Sequence, residues 1–268
     1  MEIIKLTGAV KDYIWGGNKL RKYYGKSSSD RVIAESWELS FHKDGLTMTE
    51  SGELLCEAVS KEVLGTNVSD FEFFPTLIKF IDAESDLSVQ VHPSDEYALK
   101  NENSFGKTEM WYIIGAEEGA GIYLGFRETV TREEFESAIR ENRLTEILRF
   151  YPVKAGESYF IPSGTIHAIG KGCLILEIQQ NSNLTYRVYD YGRVGNDGKP
   201  RELHIDKALA VTNLKKFVPI PPIGDTLGAS KYFTVKKLNV SNNTLFADMG
   251  SFKCITATRG FGLIDGKK

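Results

Sequence analysis

Hydrophobic and polar residues alternate along residues 86–93, DLSVQVHP. The apolar parity comprises Leu87, Val89 and Val91. The polar parity comprises Ser88, Gln90 and His92. Because successive side chains of a β-strand point to opposite faces, the pattern predicts a strand with one apolar face. Its other face would carry a hydroxyl, an amide and an imidazole in a row, which makes that face the first candidate for chemistry.

Similar runs of β-branched and aromatic residues predict a mainly β chain. The predicted strands span residues 73–83, 87–93, 108–116, 121–126, 157–162, 173–180 and 184–192. The predicted helices are fewer and span residues 94–101, 131–150 and 203–213. Thr131 precedes Glu134 by three residues, which is the capping-box arrangement of a helix start. Short, closely spaced strands with few helices are typical of an antiparallel sandwich or barrel.

The segment PIPPIGD, residues 219–225, is the best candidate for a linker, because three prolines within four residues cannot continue a helix or a central strand. We therefore predict a main domain over residues 1–222, with a helical insert at about 128–150. Residues 230–268 would form a second, shortened β unit, since about 40 residues are too few for an independent core. This unit either packs as an extra layer on the main domain or belongs to a shortened form of the protein.

Composition and charge serve mainly to exclude some classes of partner and of metal site. The chain is 41% hydrophobic and 26% charged, as in an ordinary globular protein. Its formal net charge of −3, with no large basic block, argues against nucleic acid or a membrane surface as a partner. Three separated cysteines without a Cys-x-x-Cys pair predict neither a disulfide framework nor a thiolate zinc site. The N-terminal residues lack the apolar core of a signal peptide, so we expect a cytoplasmic protein.

The strongest local motif is GESYFIPSGTIHAIG, residues 156–170. Its Gly, Pro-x-Gly turn and His167 resemble the second motif of the cupins, small β-barrels or jelly rolls that hold a metal inside. Upstream, the segments QVHP and GKTEMWY offer further donors. The candidate metal ligands are therefore Gln90, His92, Glu109 and His167. Two imidazoles with oxygen ligands suit one zinc ion; the alternative is that both histidines are hydrogen-bonded core residues and Glu109 a salt-bridged carboxylate.

The chain also resembles one family over most of its length, the type I mannose-6-phosphate isomerases in their short bacterial form. The resemblance is carried by KDYIWGG (11–17), AESWELS (34–40), LIKFIDAESDLSVQVHPSDEYA (77–98), GKTEMWYII (106–114), IPSGTIHAIGKG (161–172) and EIQQNSNLTYRVYDYGR (177–193). It implies that the four candidate ligands bind zinc and that Arg187 is the active-site arginine. It also implies that the pocket is lined by Ser88, Lys79, Lys107 and Glu177. The chain departs from longer members at Ile169, where they carry a tyrosine, and in its shortened C-terminal β unit.

The implied reaction interconverts an aldose and a ketose through a cis-enediol, and it requires stabilisation of negative charge on two sugar oxygens. A zinc ion beside those oxygens provides that stabilisation without redox chemistry. Arg187 offers a planar fork of donors to a phosphate or to sugar oxygens. Lys79 interrupts the apolar run PTLIKFI, where a lysine is costly to bury without a partner. Three proton carriers remain open, namely a water on the metal, Lys107 and Glu177.

Two other functions remain open. Two histidines and a carboxylate also form the facial triad of Fe(II) oxygenases, although the Gln90 amide and the cluster of Lys79, Lys107 and Arg187 argue against an oxygenase. A sugar-phosphate-binding cupin without catalysis is the second alternative. Glu177 is either a pocket acid or a buried carboxylate with a structural partner. We expect a phosphorylated hexose as ligand, no nucleic-acid or membrane partner, and a monomer or weak homodimer.

Overall fold

A computed structural model describes residues 3–29, 32–195, 198–241, 244, 250–264 and 266 of the chain. The strands are β1 Leu6–Thr7, β2 Ala9–Lys11, β3 Glu35–Leu39, β4 Met48–Thr49, β5 Thr76–Asp82, β6 Val89–Val91, β7 Glu109–Ala116, β8 Gly121–Phe126, β9 Leu148–Pro152, β10 Ser158–Ile161, β11 His167–Ile169, β12 Cys173–Gln180, β13 Tyr186–Tyr189, β14 Thr226–Ala229 and β15 Thr234–Lys236. The helices are α1 Lys19–Tyr24, α2 Leu55–Ala58, α3 Lys61–Leu64, α4 Asp95–Glu102, α5 Arg132–Arg140, α6 Leu144–Ile147 and α7 Ile205–Val211, with a 3-10 turn at Thr66–Val68. Among these described elements, no helix is both long enough and apolar enough to cross a bilayer.

The main strands form two antiparallel sheets. The six-stranded sheet has the order β10-β7-β12-β5-β3-β2, and the five-stranded sheet has the order β13-β6-β11-β8-β9. One apolar cluster takes residues from both sheets, including Ile81 and Ile175 from the first and Ile122 and Ile169 from the second. The sheets therefore pack face to face around a common core, as expected of a mainly β, jelly-roll-like fold.

The outer face of each sheet is covered by other elements. Helices α5 and α7 pack on the five-stranded sheet, where Phe135 and Leu209 join Val89 and Val91. Helix α1 and the C-terminal hairpin pack on the six-stranded sheet, where Leu20 and Phe233 join the same cluster. Because both faces of the six-stranded sheet are covered, all eight residues of β12 are buried. The apolar side chains of residues 86–93 are therefore divided between two clusters. Leu87 lies in the central core between the sheets, whereas Val89 and Val91 lie in the cluster on the outer face of the five-stranded sheet.

The structure corrects one predicted helix. The segment 131–150 is not continuous, because α5 ends at Arg140, α6 is a separate turn and Leu148 already begins strand β9. Asn142 adopts a positive φ of 56°, a left-handed conformation that ends the first helix. Residues 148–152 then pair with β8 at the sheet edge, so cross-strand hydrogen bonding overrides the helical pattern there. Each of the seven strands predicted between residues 73 and 192 contains an observed strand. The predicted helix 203–213 contains α7, and the predicted helix 94–101 corresponds to α4, which ends one residue later at Glu102.

The C-terminal residues form a hairpin, β14–β15, that lies against β10. Leu227, Phe233 and Val235 pack against the apolar cluster on the outer face of the six-stranded sheet. The β unit predicted over 230–268 contains strand β15, but its described residues from 252 onward contain no strand, so the prediction is wrong for that part. Phe261 is 93% exposed there.

The start of α5 provides a test of the local interpretation. Thr131 Oγ1 accepts a hydrogen bond from the Glu134 backbone N–H at 3.1 Å, and Glu134 Oε2 accepts one from the Thr131 N–H at 2.7 Å. This is the capping box that the sequence predicts. We expect Thr131→Ala to lower the free energy of unfolding by about 1 kcal/mol, measured by urea denaturation. Thr131→Ser keeps the acceptor and serves as the control; equal stability of the alanine variant and the wild type would contradict the role of the cap.

Candidate metal centre

The register of the two sheets brings the polar inner-face residues together. On the five-stranded sheet, Gln90 of β6 pairs with His167 of β11 on one side and with Arg187 of β13 on the other. On the six-stranded sheet, Glu177 of β12 pairs with Lys79 on one side and with Trp111 on the other. Paired residues of antiparallel strands share a face, so both rows point into the space between the sheets.

The candidate ligand atoms converge at this end of the core. His167 Nε2 lies 3.4 Å from Glu109 Oε1, and His92 Nε2 lies 3.5 Å from Glu109 Oε2. The ligand atoms of these three residues all lie within 4.8 Å of one another. The Gln90 side-chain amide lies 3.4 Å from His167 Nε2. All three residues of the His–Glu–His group are at most 1% exposed.

Both imidazoles are oriented by backbone carbonyls. His92 Nδ1 donates to the Leu184 carbonyl at 2.8 Å, and His167 Nδ1 donates to the Thr165 carbonyl at 2.9 Å. These bonds fix the tautomer in which each Nε2 presents a lone pair to the centre. Burial, and then the positive charge of Lys107, lowers the pKa of His167 to about 4. The same causes lower the pKa of His92 well below its usual value, so both rings are neutral at physiological pH.

These donors fit a zinc ion. Glu109 Oε1 is buried without a hydrogen-bond partner, which is costly unless a cation faces it. Burial and the charge of Glu177 raise the pKa of Glu109, so its carboxylate also needs a nearby positive charge. Tetrahedral ligands about 2.1 Å from zinc lie about 3.4 Å from each other, close to the 3.4 Å and 3.5 Å that separate the two Glu109 oxygens from His167 Nε2 and His92 Nε2. The Gln90 amide would contribute its oxygen, since its two ends have nearly the same shape.

A cluster of lysines and carboxylates adjoins the donors. Lys107 Nζ lies 2.6 Å from Glu109 Oε2, 3.1 Å from His92 Nε2 and 3.4 Å from Glu177 Oε1. Lys79 Nζ lies 3.1 Å from Glu177 Oε1 and 3.3 Å from Glu35 Oε1. Two ammonium groups therefore face three buried carboxylates, which leaves one net negative charge. A divalent cation would reverse that sign and make the space attractive to an anion.

Ion pairing overcomes the cost of burial at both ends of this cluster. Burial lowers the pKa of Lys79, but the carboxylates of Glu177 and Glu35 raise it above its ordinary value. Burial raises the pKa of Glu177, but the ammonium groups of Lys107 and Lys79 lower it below its usual range. Glu177 also accepts a hydrogen bond from Trp111 Nε1 at 2.7 Å. Glu177 is thus a buried, ionised carboxylate with structural partners, and its role as a pocket acid stays a prediction.

Sequence reasoning missed Glu35. This residue is 5% exposed, and its carboxylate accepts a hydrogen bond of 2.6 Å from Trp37 Nε1 and binds Lys79. The sequence does indicate that Glu35 is buried, because it lies in the mostly apolar run VIAESWEL, as Glu177 lies in CLILEIQQ. A carboxylate inside a buried strand requires a cationic partner, and the buried Lys79 requires an anionic one. Glu35 and Lys79 satisfy each other.

Arg187 and Ser88 lie beside the candidate donors, next to Gln90 in the five-stranded sheet. Arg187 Nε donates to Ser88 Oγ at 3.1 Å, and its terminal nitrogen donates to the Glu202 carbonyl at 3.1 Å. Burial, and then the positive charge of Arg201, lowers the pKa of Arg187, although a guanidinium stays charged at neutral pH. Arg193 and Arg201 both pair with Asp190 nearby. Three guanidinium groups, of Arg187, Arg193 and Arg201, therefore lie near one another on this side of the candidate donors.

The chain is similar to several known proteins. The family model for the catalytic domain of type I phosphomannose isomerase matches residues 3–112. The mannose-6-phosphate isomerase of Streptococcus mutans is 38% identical over 98% of this chain and 87% of its own length. A mannose-6-phosphate isomerase of Bacillus subtilis is 39% identical over 96% of this chain and 86% of its own length. The crystal structure of the mannose 6-phosphate isomerase from Bacillus subtilis has a TM-score of 0.79, with 36% identity, over 86% of this chain and 78% of that one.

Proposed function

Since this chain belongs to the type I phosphomannose isomerases, we propose that it interconverts mannose 6-phosphate and fructose 6-phosphate through a cis-enediol, with one zinc ion per chain. It is an isomerase of that family. The observation that carries the proposal is the convergence of the His92, Glu109 and His167 ligand atoms beside a buried lysine–carboxylate cluster. Neither an oxygenase nor a non-catalytic sugar-binding cupin is favoured by any of these relatives.

Zinc would be held by Gln90, His92, Glu109 and His167, and when bound it supplies a Lewis acid for the negative charge that develops on the sugar oxygens. The donor set supports this assignment, because a neutral amide and two neutral imidazoles leave most of the ionic charge uncompensated. Glu109 cancels one unit of that charge. The Nδ1 hydrogen bonds of both histidines hold their rings in place, as in other zinc sites.

Binding of the phosphorylated sugar is assigned to Arg187, Ser88, Lys79 and Lys107. Arg187 lies beside the candidate donors and can donate a bidentate pair of hydrogen bonds to phosphate or sugar oxygens. Ser88 holds the Arg187 side chain at 3.1 Å and can donate its own hydroxyl proton. The two lysines are almost fully buried, so their positive charge acts in a medium of low dielectric constant, where it is more effective than in water.

Proton transfer is assigned to Lys107 and Glu177. Lys107 touches both Glu109 and Glu177, so its ammonium lies between the metal ligands and the pocket carboxylate. It can donate a proton to a sugar oxygen there. Glu177 is kept ionised by its two lysine partners and can accept a proton. Arg187, Lys107 and Glu177 are thus the proposed catalytic residues.

We assign the catalytic centre to residues 1–222 and treat 230–268 as a shortened β unit docked on that domain. The packing of the β14–β15 hairpin on the six-stranded sheet supports this assignment. We propose a cytoplasmic enzyme that acts as a monomer or weak homodimer, with a phosphorylated hexose as its partner. Its net charge of −3 gives no support for nucleic-acid or membrane binding.

Metal removal tests the proposal directly. The purified 268-residue chain should contain about one zinc per chain by elemental analysis and should convert mannose 6-phosphate in a coupled assay. Exhaustive chelation should abolish turnover, and added zinc should restore it. The rate under nitrogen should equal the rate in air, because no electron is exchanged with oxygen. Full activity after chelation would refute the zinc requirement; binding of the sugar phosphate without turnover would refute the activity.

A further inference from the structure

Asp95, the first residue of α4, links three segments of the chain. Its Oδ1 accepts hydrogen bonds from the Gly106 backbone N–H at 2.9 Å and from Gln180 Nε2 at 2.7 Å. Its Oδ2 accepts a hydrogen bond from the Tyr232 hydroxyl and lies 3.2 Å from Lys231 Nζ. The carboxylate therefore has partners in the loop after α4, at the end of β12 and in the C-terminal hairpin region. Hydrogen bonds to a charged acceptor are stronger than those between neutral groups.

The loop that Asp95 holds leads directly into the metal centre. Residues 103–108 connect α4 to β7. Lys107 therefore comes directly after Gly106, and Glu109 begins β7 two residues later. The Lys107 backbone N–H donates to the Pro93 carbonyl at 3.0 Å. A Cβ at position 106 would lie 2.5 Å from the Asp95 nitrogen, so only glycine allows the loop to approach this closely. The position of the loop is set by contact with the segment that follows His92.

Gln180 joins the same network from the other side. It is 1% exposed, and while its Nε2 donates to Asp95, its Oε1 accepts from the Thr108 N–H at 2.7 Å. The backbone on both sides of Lys107 is therefore tied to a single pair of side chains, Asp95 and Gln180. A shift of Asp95 would be transmitted to Gly106 directly and to Thr108 through Gln180.

The C-terminal hairpin reaches this network through its turn. Tyr232 lies between β14 and β15, and its carbonyl accepts a hydrogen bond from Thr76 Oγ1 at 3.2 Å. Its ring lies 6.1 Å from that of Phe71. Thr76 is also the register partner of Gln180 at the end of the six-stranded sheet. The hairpin turn is thus anchored beside the two residues that hold the loop.

We propose that Asp95 is a positioning residue for the metal centre: it joins the turn of the C-terminal hairpin to the loop that carries Lys107 and leads into Glu109. The kinetic part of this inference rests on the proposed isomerase function, whereas its effect on the loop and on zinc affinity does not. The β14–β15 hairpin then helps to hold the loop of residues 103–108 in place. Misplacement of catalytic groups by about 1 Å can reduce a rate by about 10²-fold.

Two substitutions test this inference. Asp95→Ala removes every hydrogen bond of the carboxylate, and Tyr232→Phe removes only the bond from the hairpin. Asp82→Ala is the control, because the Asp82 carboxylate likewise accepts hydrogen bonds from a backbone N–H and from a lysine side chain, both of Lys19. Its partners lie at the start of α1, outside the loop of residues 103–108. All variants are compared well below their melting temperatures, with zinc content measured in each.

The first readout is independent of turnover. We expect amide hydrogen exchange at Gly106 and Thr108 to become at least about tenfold faster in Asp95→Ala, and less so in Tyr232→Phe. Zinc affinity, measured by competition with a chromogenic chelator, should fall about 10-fold to 100-fold in Asp95→Ala. Asp82→Ala should change neither quantity. Unchanged exchange at Gly106 and unchanged zinc affinity in Asp95→Ala would overturn the inference.

The second readout is kinetic. In zinc-saturated enzyme we expect Asp95→Ala to lower kcat about 10-fold to 100-fold with little change in KM. The double variant with Tyr232→Phe should be no slower than Asp95→Ala alone, because both changes interrupt one connection. Additive losses in the double variant would contradict the coupling between hairpin and loop. A wild-type chain without isomerase activity would instead refute the proposed function and leave the exchange and zinc results to decide the positioning role.

Discussion

Replacing His92 by alanine is expected to remove the bound zinc and to lower kcat/KM by at least about 10³-fold. His92 is 1% exposed, and its Nε2 lies 3.5 Å from a Glu109 carboxylate oxygen. Without this ring the site keeps one imidazole, one carboxylate and one amide, which is too few strong donors for tight zinc binding. Several kcal/mol of transition-state stabilisation is lost with the ion. Elemental analysis and a coupled isomerase assay measure the two effects together.

His42 supplies the matched control for this experiment. It is a half-buried histidine whose ring lies 6.0 Å from that of Trp37 and outside the cluster of ligand atoms. His42→Ala should therefore retain about one zinc per chain and near-normal turnover. A His92→Ala variant that still holds stoichiometric zinc and turns over substrate at the normal rate would remove His92 from the ligand set.

Replacing Arg187 by alanine is expected to preserve zinc but to lower kcat/KM by about 10²-fold to 10³-fold. Arg187 lies on β13 beside Gln90, and its Nε donates to Ser88 Oγ at 3.1 Å, so its guanidinium is held next to the candidate donors. Two charge-assisted hydrogen bonds to a phosphate are worth about 3–4 kcal/mol together, which gives this range. Steady-state kinetics with zinc content measured on the same samples tests the prediction.

The chemistry of the guanidinium separates its role from that of a simple charge. Arg187→Lys keeps the positive charge but loses the planar pair of donors, so we expect an intermediate loss. Arg140→Ala serves as the control, because Arg140 is an exposed residue that pairs with Glu136 on α5. Its removal should leave kcat/KM unchanged. Normal turnover of Arg187→Ala would show that its assigned role is wrong.

The donor set was predictable because it depends on local patterns. Parity alone placed Gln90 and His92 on one face of a strand, and the Pro-x-Gly turn before His167 indicated how that ring would be aimed. The structure brings the ligand atoms of His92, Glu109 and His167 within 4.8 Å of one another and places the Gln90 amide 3.4 Å from His167 Nε2, while their role as metal ligands stays a prediction. It also places Lys79, Lys107, Glu177, Ser88 and Arg187 beside them, although their roles stay predictions.

Other features depended on neighbours that are distant in the chain. The pattern at 131–150 was read as one helix, because periodicity does not reveal that residues 148–152 have a strand edge available to them. Glu35 was missed because its partner, Lys79, is 44 residues away and is reached only through the register of β3 and β5. The link between Asp95 and Tyr232 spans 137 residues and has no local signal at either end.

The sequence by itself determined which side chains share a strand face, and hence the mainly β class and the set of candidate metal donors, whose role stays a prediction. These properties follow from the two-residue repeat of a strand and from turn chemistry, both of which act over a few residues. Only the tertiary structure decided which carboxylates neutralise each buried lysine. It also decided how the C-terminal hairpin contacts Asp95 and, through it, the loop of residues 103–108. Those contacts depend on strand register and packing between distant segments, since burial penalises any charged group that lacks a partner.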